Sequence, residues 1–199
     1  MKRTLHFALM LSFACVTVAA ISTVAQAQRV DFGFAVSGMD APGALSADSN
    51  HSPVSLTGGA YLGFNGDVLF WHNLGVGGEI NWKATQGDYA NSGLGYRPIF
   101  WNFNAVYSPR LASHVYLDLV AGIGAESTHY YVGQACGIGC TNYASFTHFD
   151  GDFGAGLKLV TRHGIFIRPE FREYLVRNNQ EFSSDRATRY GVTLGFTFR

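Results

Sequence analysis

The chain has 199 residues, 14 of them basic and 14 acidic, and its 14% charge lies well below the roughly 25% of an ordinary soluble domain. Glycine contributes 24 residues and aromatic side chains 15%. This balance excludes the basic field of a nucleic-acid-binding protein, and beyond the N-terminal leader no stretch reaches the ~18 uncharged apolar residues that a spanning helix needs.

Lys2 and Arg3 form a positive n-region, an apolar run extends from Leu5 to about Val24, and Ala25-Gln26-Ala27 supplies the small-x-small pattern of signal peptidase cleavage. Residues 1–27 therefore read as a signal peptide, and the mature chain is expected to begin at Gln28. Cys15 offers a competing lipoprotein signal, but Ser12 stands where Leu is expected and the apolar run continues past the cysteine. Loss of Lys2 and Arg3 leaves 12 basic against 14 acidic side chains, a net charge near −2. Removing 27 of the 199 residues leaves 172, which suits one domain over residues 28–199. If that domain crosses a membrane, it does so as strands closed into a barrel, because lipid offers the backbone no hydrogen-bond partners.

Period-two alternation marks eight strands. In the first, residues 29–38, Val30, Phe32, Phe34 and Val36 lie opposite Arg29, Asp31, Gly33 and Ser37. Residues 39–53 carry Pro, Gly, Ser, Asp and Asn without periodicity and read as a long loop. The second strand, residues 56–70, puts Ala60, Leu62, Phe64, Val68 and Phe70 on one face. Asn65-Gly66 is a candidate hairpin turn. The alternation nevertheless keeps its phase across Gly66, and His72-Asn73 supplies a turn just afterwards, which favours one long strand. The third, residues 74–83, contrasts Leu74, Val76, Ile80 and Trp82 with Glu79, Asn81 and Lys83, and a second loop covers residues 84–96.

The fourth strand, residues 98–108, sets Ile99, Trp101, Phe103, Ala105 and Tyr107 against Asn102 and Asn104, with a turn at Pro109-Arg110. The fifth, residues 115–129, opposes Val115, Leu117, Leu119, Ala121 and Ile123 to Asp118, Gly122, Gly124 and Glu126; a third loop, residues 130–143, holds Cys136 and Cys140. The sixth, residues 145–161, opposes Phe149, Phe153, Ala155, Leu157 and Leu159 to His148, Asp150, Asp152 and Lys158, and ends in the turn Arg162-His163-Gly164. The seventh, residues 165–177, opposes Ile165, Ile167, Phe171 and Leu175 to Arg168, Glu170, Arg172 and Tyr174, before a fourth loop over residues 178–187. In the last, residues 190–199, Tyr190, Val192, Leu194, Phe196 and Phe198 alternate with Gly191, Thr193, Gly195 and Thr197.

Connections are long after the first, third, fifth and seventh strands and short after the others. An all-β, eight-stranded antiparallel up-and-down transmembrane barrel has this asymmetry, with long loops at one rim and short turns at the other. The run from Tyr190 to Phe198 resembles the closing strand of bacterial outer-membrane β-barrels. Residues 29–198 as a whole resemble the eight-stranded barrels of the OmpA-domain and OmpX type. The runs Arg177-Asn-Asn-Gln-Glu-Phe-Ser-Ser and Arg189-Tyr-Gly-Val are similar to those of an uncharacterised subgroup. The resemblance implies residence in the outer membrane among lipid and lipopolysaccharide, with termini in the periplasm and long loops outside. It also implies that the barrel-assembly machinery reads Tyr190, Gly191, Leu194, Phe196 and Phe198, although Arg199 follows where the family usually stops at the aromatic. No cofactor, nucleic-acid partner or enzymatic activity is expected, and the fold is expected to be monomeric.

On the apolar faces the only charged members are Glu173 and Arg177, whereas a soluble barrel's outer surface would be heavily charged. The apolar faces are therefore assigned to lipid, where an Arg at mid-bilayer costs about 2–4 kcal/mol. The opposite faces carry Arg29, Asp31, Asp67, Glu79, Lys83, Asp118, Glu126, Asp150, Asp152, Lys158, Arg168, Glu170, Arg172 and Arg189. Eight strands leave an interior that side chains fill, and buried charges need partners, so the lumen is expected to hold an ionic network. A proton or ion path along the same groups is the functional alternative.

Cys136 and Cys140 lie in a loop of an exported protein, where the compartment favours a disulfide contributing roughly 2 kcal/mol. His129 and His148 flank that loop, which raises a zinc site, but the spacing fits no finger pattern and His148 belongs to the lumen face, so no metal is expected. Ser127 and His129 share the outward face and resemble the Ser–His pair of lipid A deacylases, His acting as base to the Ser nucleophile. Their order is reversed, and the outward acid Glu173 lies two strands away, roughly 10 Å across the sheet; the simpler reading is polar rim residues against lipopolysaccharide. Trp71, Trp82, Trp101, Tyr107 and Phe198 fall near strand ends, as interfacial girdles do. Thiol titration of the unreduced mature protein is expected to find Cys136 and Cys140 unreactive; two free thiols would contradict the pairing.

Overall fold

A strand satisfies its backbone only by pairing, and a sheet loses its edges only by closing on itself. The computed structural model describes residues 29–43, 51–131 and 142–198 and shows that closure. The strands are β1 (Arg29–Asp40), β2 (Ala60–Trp71), β3 (Leu74–Lys83), β4 (Gly87–Tyr89), β5 (Leu94–Tyr107), β6 (Arg110–Ala112), β7 (Val115–Tyr131), β8 (Tyr143–Val160), β9 (Ile165–Val176) and β10 (Arg186–Phe198). The wall runs β5-β3-β2-β1-β10-β9-β8-β7, and β7 pairs back onto β5. The first and last long strands meet in register, Val30 opposite Phe198 and Phe32 opposite Phe196. The short strands β4 and β6 extend the wall at the starts of β5 and β7. The signal-peptide residues 1–27, Cys136, Cys140 and Arg199 lie outside the described residues.

Local chemistry sets the boundaries. Gly66 pairs with both Phe32 and Gly78, so β2 is one strand and Asn65-Gly66 is no turn. The turn falls at His72 and Asn73, both with positive φ (44° and 69°), as a tight two-residue hairpin requires. β2 begins at Ala60 rather than residue 56, because Gly58 and Gly59 adopt φ of 85° and 78° and break the extended run. The segment read as a loop over residues 84–96 contains a small hairpin, in which Gly87 pairs with Tyr96 and Tyr89 with Leu94. β10 likewise starts at Arg186, inside the segment read as the fourth loop.

The burial pattern decides which face meets lipid. Phe103 is 69% exposed and Leu194 57%, whereas Arg168 is 1% and Glu126 0% exposed. A soluble barrel would show the reverse. Apolar side chains point outward from every long strand, and the titratable ones fill the centre. The tight turns at residues 72–73, 113–114 and 162–163 share one rim with the start of β1 and the end of β10; the longer connections occupy the other.

The narrow interior forces small residues onto parts of the lumen face. A Cβ on Gly195 would stand 2.2 Å from the Phe32 carbonyl oxygen, 2.6 Å from the Phe166 ring and 2.8 Å from the Gly33 Cα. Gly38, by contrast, has nothing within 4 Å of its Cβ position. Gly195→Ala is therefore expected to destabilise the barrel by about 1–3 kcal/mol, and Gly38→Ala to change stability by no more than about 0.5 kcal/mol. Urea unfolding in detergent, followed by heat-modifiable gel migration, measures both; equal effects would contradict the steric argument.

Candidate functional site

The side chains that enter the lumen are those in phase with Asp31 on β1 and Thr193 on β10, and they arrive from all around the wall. Near the short-turn rim, Arg168 on β9 reaches Asp67 on β2 at 3.0 Å and Asp118 on β7 at 3.1 Å, with Glu170 3.0 Å away on its own strand. Lys158 on β8 sits 2.5 Å from Asp31 and 3.2 Å from Asp118. Arg29 lies 3.2 Å from Asp31, donates to Ser108 and covers the Tyr116 ring at 4.4 Å. Ser108 in turn donates to Asp118, and Thr197 donates to Asp31 at 2.6 Å. Tyr116, Val160 and Phe166 form an apolar floor beneath these charges.

A second layer lies above. Arg189 on β10 holds Glu79 and Glu170, each at 3.0 Å, and donates to Asn81. Arg172 joins Glu79 at 3.3 Å to Asp152 at 2.9 Å, and the Tyr174 hydroxyl donates to Glu79 at 2.7 Å. Three lumen residues read as members of an ionic network take other partners. Asp150 accepts from Asn102 at 2.5 Å and Glu126 accepts from Thr128, and each keeps one oxygen without a hydrogen-bond partner among the described residues. Lys83 donates to the Tyr96 hydroxyl at 3.3 Å and lies 4.9 Å from that ring's centroid. These three stand nearer the loop rim, where aromatic side chains replace opposite charges.

That rim is closed by a plug the sequence reading missed. The segment between β9 and β10 folds inward, and Phe182 is buried with Leu56, Tyr61, Tyr96, Phe100 and Tyr174. Its ring meets Tyr96 at 5.5 Å and Tyr89 at 6.2 Å. Polar bonds fix the fold-back: the Ser183 amide donates to the Val54 carbonyl at 2.8 Å, the Ser183 hydroxyl to the Pro42 carbonyl at 2.7 Å, and the Tyr89 hydroxyl to the Glu181 carbonyl at 2.6 Å. His148 stands 2.9 Å from the Glu181 carboxylate. The available signal was Val54, Leu56 and Phe182, isolated apolar residues in otherwise polar segments; burying a Phe contributes about 1.5–3 kcal/mol.

On the outer face Ser127, His129 and Glu173 do not come together as a catalytic triad. Ser127 bonds to the Ser145 and Thr147 hydroxyls at 3.1 and 3.0 Å, while His129 stacks on Tyr143 at 4.5 Å. Glu173 accepts from Arg186 at 2.9 Å and Thr188 at 2.6 Å. It pairs with Phe153, which pairs with Ala121, six residues along β7 from Ser127. That offset adds roughly 20 Å along the strand to the lateral spacing of about 10 Å expected from sequence. His129 and His148 lie on opposite sides of the wall, so they do not converge on a common ligand. Trp71, Tyr107 and Phe198 are exposed near the short-turn rim, and Trp101 is exposed nearer the loop rim. Trp82 packs on Phe64 with ring centroids 6.0 Å apart.

The closed antiparallel barrel has solved counterparts in fold. The Ail attachment invasion locus protein of Yersinia pestis, crystallised with the heparin analogue sucrose octasulfate, aligns with a TM-score of 0.53 at 14% identity over 85% of this chain and 97% of its own. Neisserial surface protein A gives 0.58 at 10% identity, covering 85% and 96%. The N-terminal barrel domain of Pseudomonas aeruginosa OprF gives 0.56 at 11%, covering 87% and 100%. At such identities the likeness concerns the fold. No curated protein sequence matches. The model of the outer membrane protein beta-barrel domain family matches residues 8–198, and the chain belongs to that family as an eight-stranded barrel of the bacterial outer membrane.

Proposed function

We propose that the protein is a non-enzymatic barrel serving envelope structure or surface interaction, with termini and short turns in the periplasm and the loop rim outside. The observation that carries this reading is the filled lumen: Arg168, Arg172, Arg189 and Lys158 span it in ion pairs, and Phe182 closes its loop end. Side chains packed in this way leave no column for hydrated ions, which disfavours the pore alternative. Ser127 bonds to hydroxyls rather than to His129, which weighs against the deacylase alternative. The hydroxyls of Ser127, Ser145 and Thr147, with His129, then form a polar band suited to lipopolysaccharide. Tyr190, Gly191, Leu194, Phe196 and Phe198 present the closing-strand pattern to the assembly machinery, and Cys136 and Cys140 pair in the oxidising compartment.

Planar-bilayer recording with the purified mature protein tests this directly. The closed lumen is expected to give no stable conductance step, and a reproducible step of fixed amplitude would contradict it.

A further inference from the structure

Two concavities meet at the short-turn rim. One is a cleft of about 440 Å³ lined by Ser113, His114, Thr161, Arg162, His163 and Thr197. The other is a groove of about 260 Å³ on the outer face, lined by Val115, Leu159, Ile165, Ile167 and Leu194. His114, Val160 and Thr161 line both, so the polar cleft opens directly into the apolar groove.

The cleft carries charge of one sign. Arg162, His114 and His163 supply donors, Ser113 and Thr161 supply hydroxyls, and no carboxylate lines either concavity among the described residues, although the Thr197 hydroxyl behind the cleft donates to Asp31 in the lumen. The lumen arginines sit against carboxylates; Arg162 and His163 have no ion pair or hydrogen bond among the described residues. The His114 ring meets the neighbouring Ser113 hydroxyl at 3.0 Å and has no other hydrogen-bond partner among the described residues.

Both turns that frame the cleft are fixed by backbone bonds. Gly164 adopts a φ of 81°, its amide donates to the Thr161 carbonyl at 3.1 Å, and its carbonyl accepts from Thr197 at 2.7 Å. Opposite, the Arg110 guanidinium donates to the Ala112 and Ser113 carbonyls at 3.0 and 2.8 Å, and the Val160 amide joins the two turns through the His114 carbonyl at 2.9 Å. Exposed Trp71, Tyr107, Leu111 and Phe198 occupy the same rim, the level at which barrel aromatics meet lipid headgroups.

We infer that this composite site holds one glycerophospholipid, its phosphate in the cleft against Arg162, His163 and His114 and one acyl chain along the groove. Charge complementarity selects an anionic head, because charge-assisted bonds from guanidinium and imidazole to phosphate are the strong ones. The groove selects an acyl chain, because Val115, Leu159, Ile165, Ile167 and Leu194 offer it no polar side chain. Neither half alone accounts for their sharing His114 and Thr161.

Native mass spectrometry of the mature protein, released from nanodiscs containing palmitoyl-oleoyl phosphatidylglycerol, tests the site. A single retained phosphatidylglycerol is expected, with the matching diacylglycerol retained at least about tenfold less. The double variant Arg162→Gln with His163→Gln is expected to lower phosphatidylglycerol retention by about tenfold, and Arg177→Gln at the opposite rim to leave it unchanged. The comparison of the two lipids on the unaltered protein does not depend on any variant folding. Equal retention of diacylglycerol, unsaturable adducts, displacement by inorganic phosphate alone, or indifference to the double variant would each overturn the proposal.

Discussion

Arg168 crosses the lumen from β9 to Asp67 on β2 and Asp118 on β7, and the closed wall depends on crossings of this kind. Hydrocarbon around a barrel supplies no hydrophobic drive for drawing one strand onto the next; backbone pairing and the contents of the lumen do that work. Pairing is satisfied locally between neighbours, whereas Arg168, Lys158 and Arg189 link strands that are not neighbours. Taking these charges out of water is costly, and the cost is offset only because each cation is shared between carboxylates and those carboxylates accept further bonds. Asp118 shows the arrangement: it receives Arg168, Lys158 and Ser108 together.

The same crowding governs the glycines and the plug. Where Gly33 and Gly195 face each other, their missing side chains admit the Thr193 methyl and the Phe166 ring. Where the ionic layers end, Phe182 and the tyrosines take over and shut the mouth. The two rims carry different chemistry: hydroxyls and a stacked histidine at one, a cationic cleft beside an apolar groove at the other.

Alternation made the wall legible because each strand meets two different media, and residues such as Phe32 against Asp31 or Ile167 against Arg168 could occupy only one of them. The charged lumen was legible for the same reason. What alternation does not encode is where glycines with positive φ interrupt it, so the start of β2 was misplaced at Gly58 and Gly59. It also says nothing of tertiary return. Leu56 and Phe182 lie more than a hundred residues apart and reveal themselves as a plug only once their segments fold into the same mouth. Ser127 and His129 illustrate the opposite failing, since a shared face brought them to one region without making them partners. Lys83 was placed correctly in the lumen, yet its neighbour there is the Tyr96 ring, a choice set by height along the barrel rather than by phase.

The most direct measurement of the lumen's role is the urea-unfolding free energy of Arg168→Met in detergent micelles. Removing that cation leaves the buried Asp67 without its ion-pair partner and takes one of two cations from Asp118 and from Glu170, and the barrel should lose about 3–5 kcal/mol of stability. A change within about 0.5 kcal/mol of the parent protein, as for an ordinary surface position, would contradict the claim that buried ion pairs across the lumen hold the barrel closed.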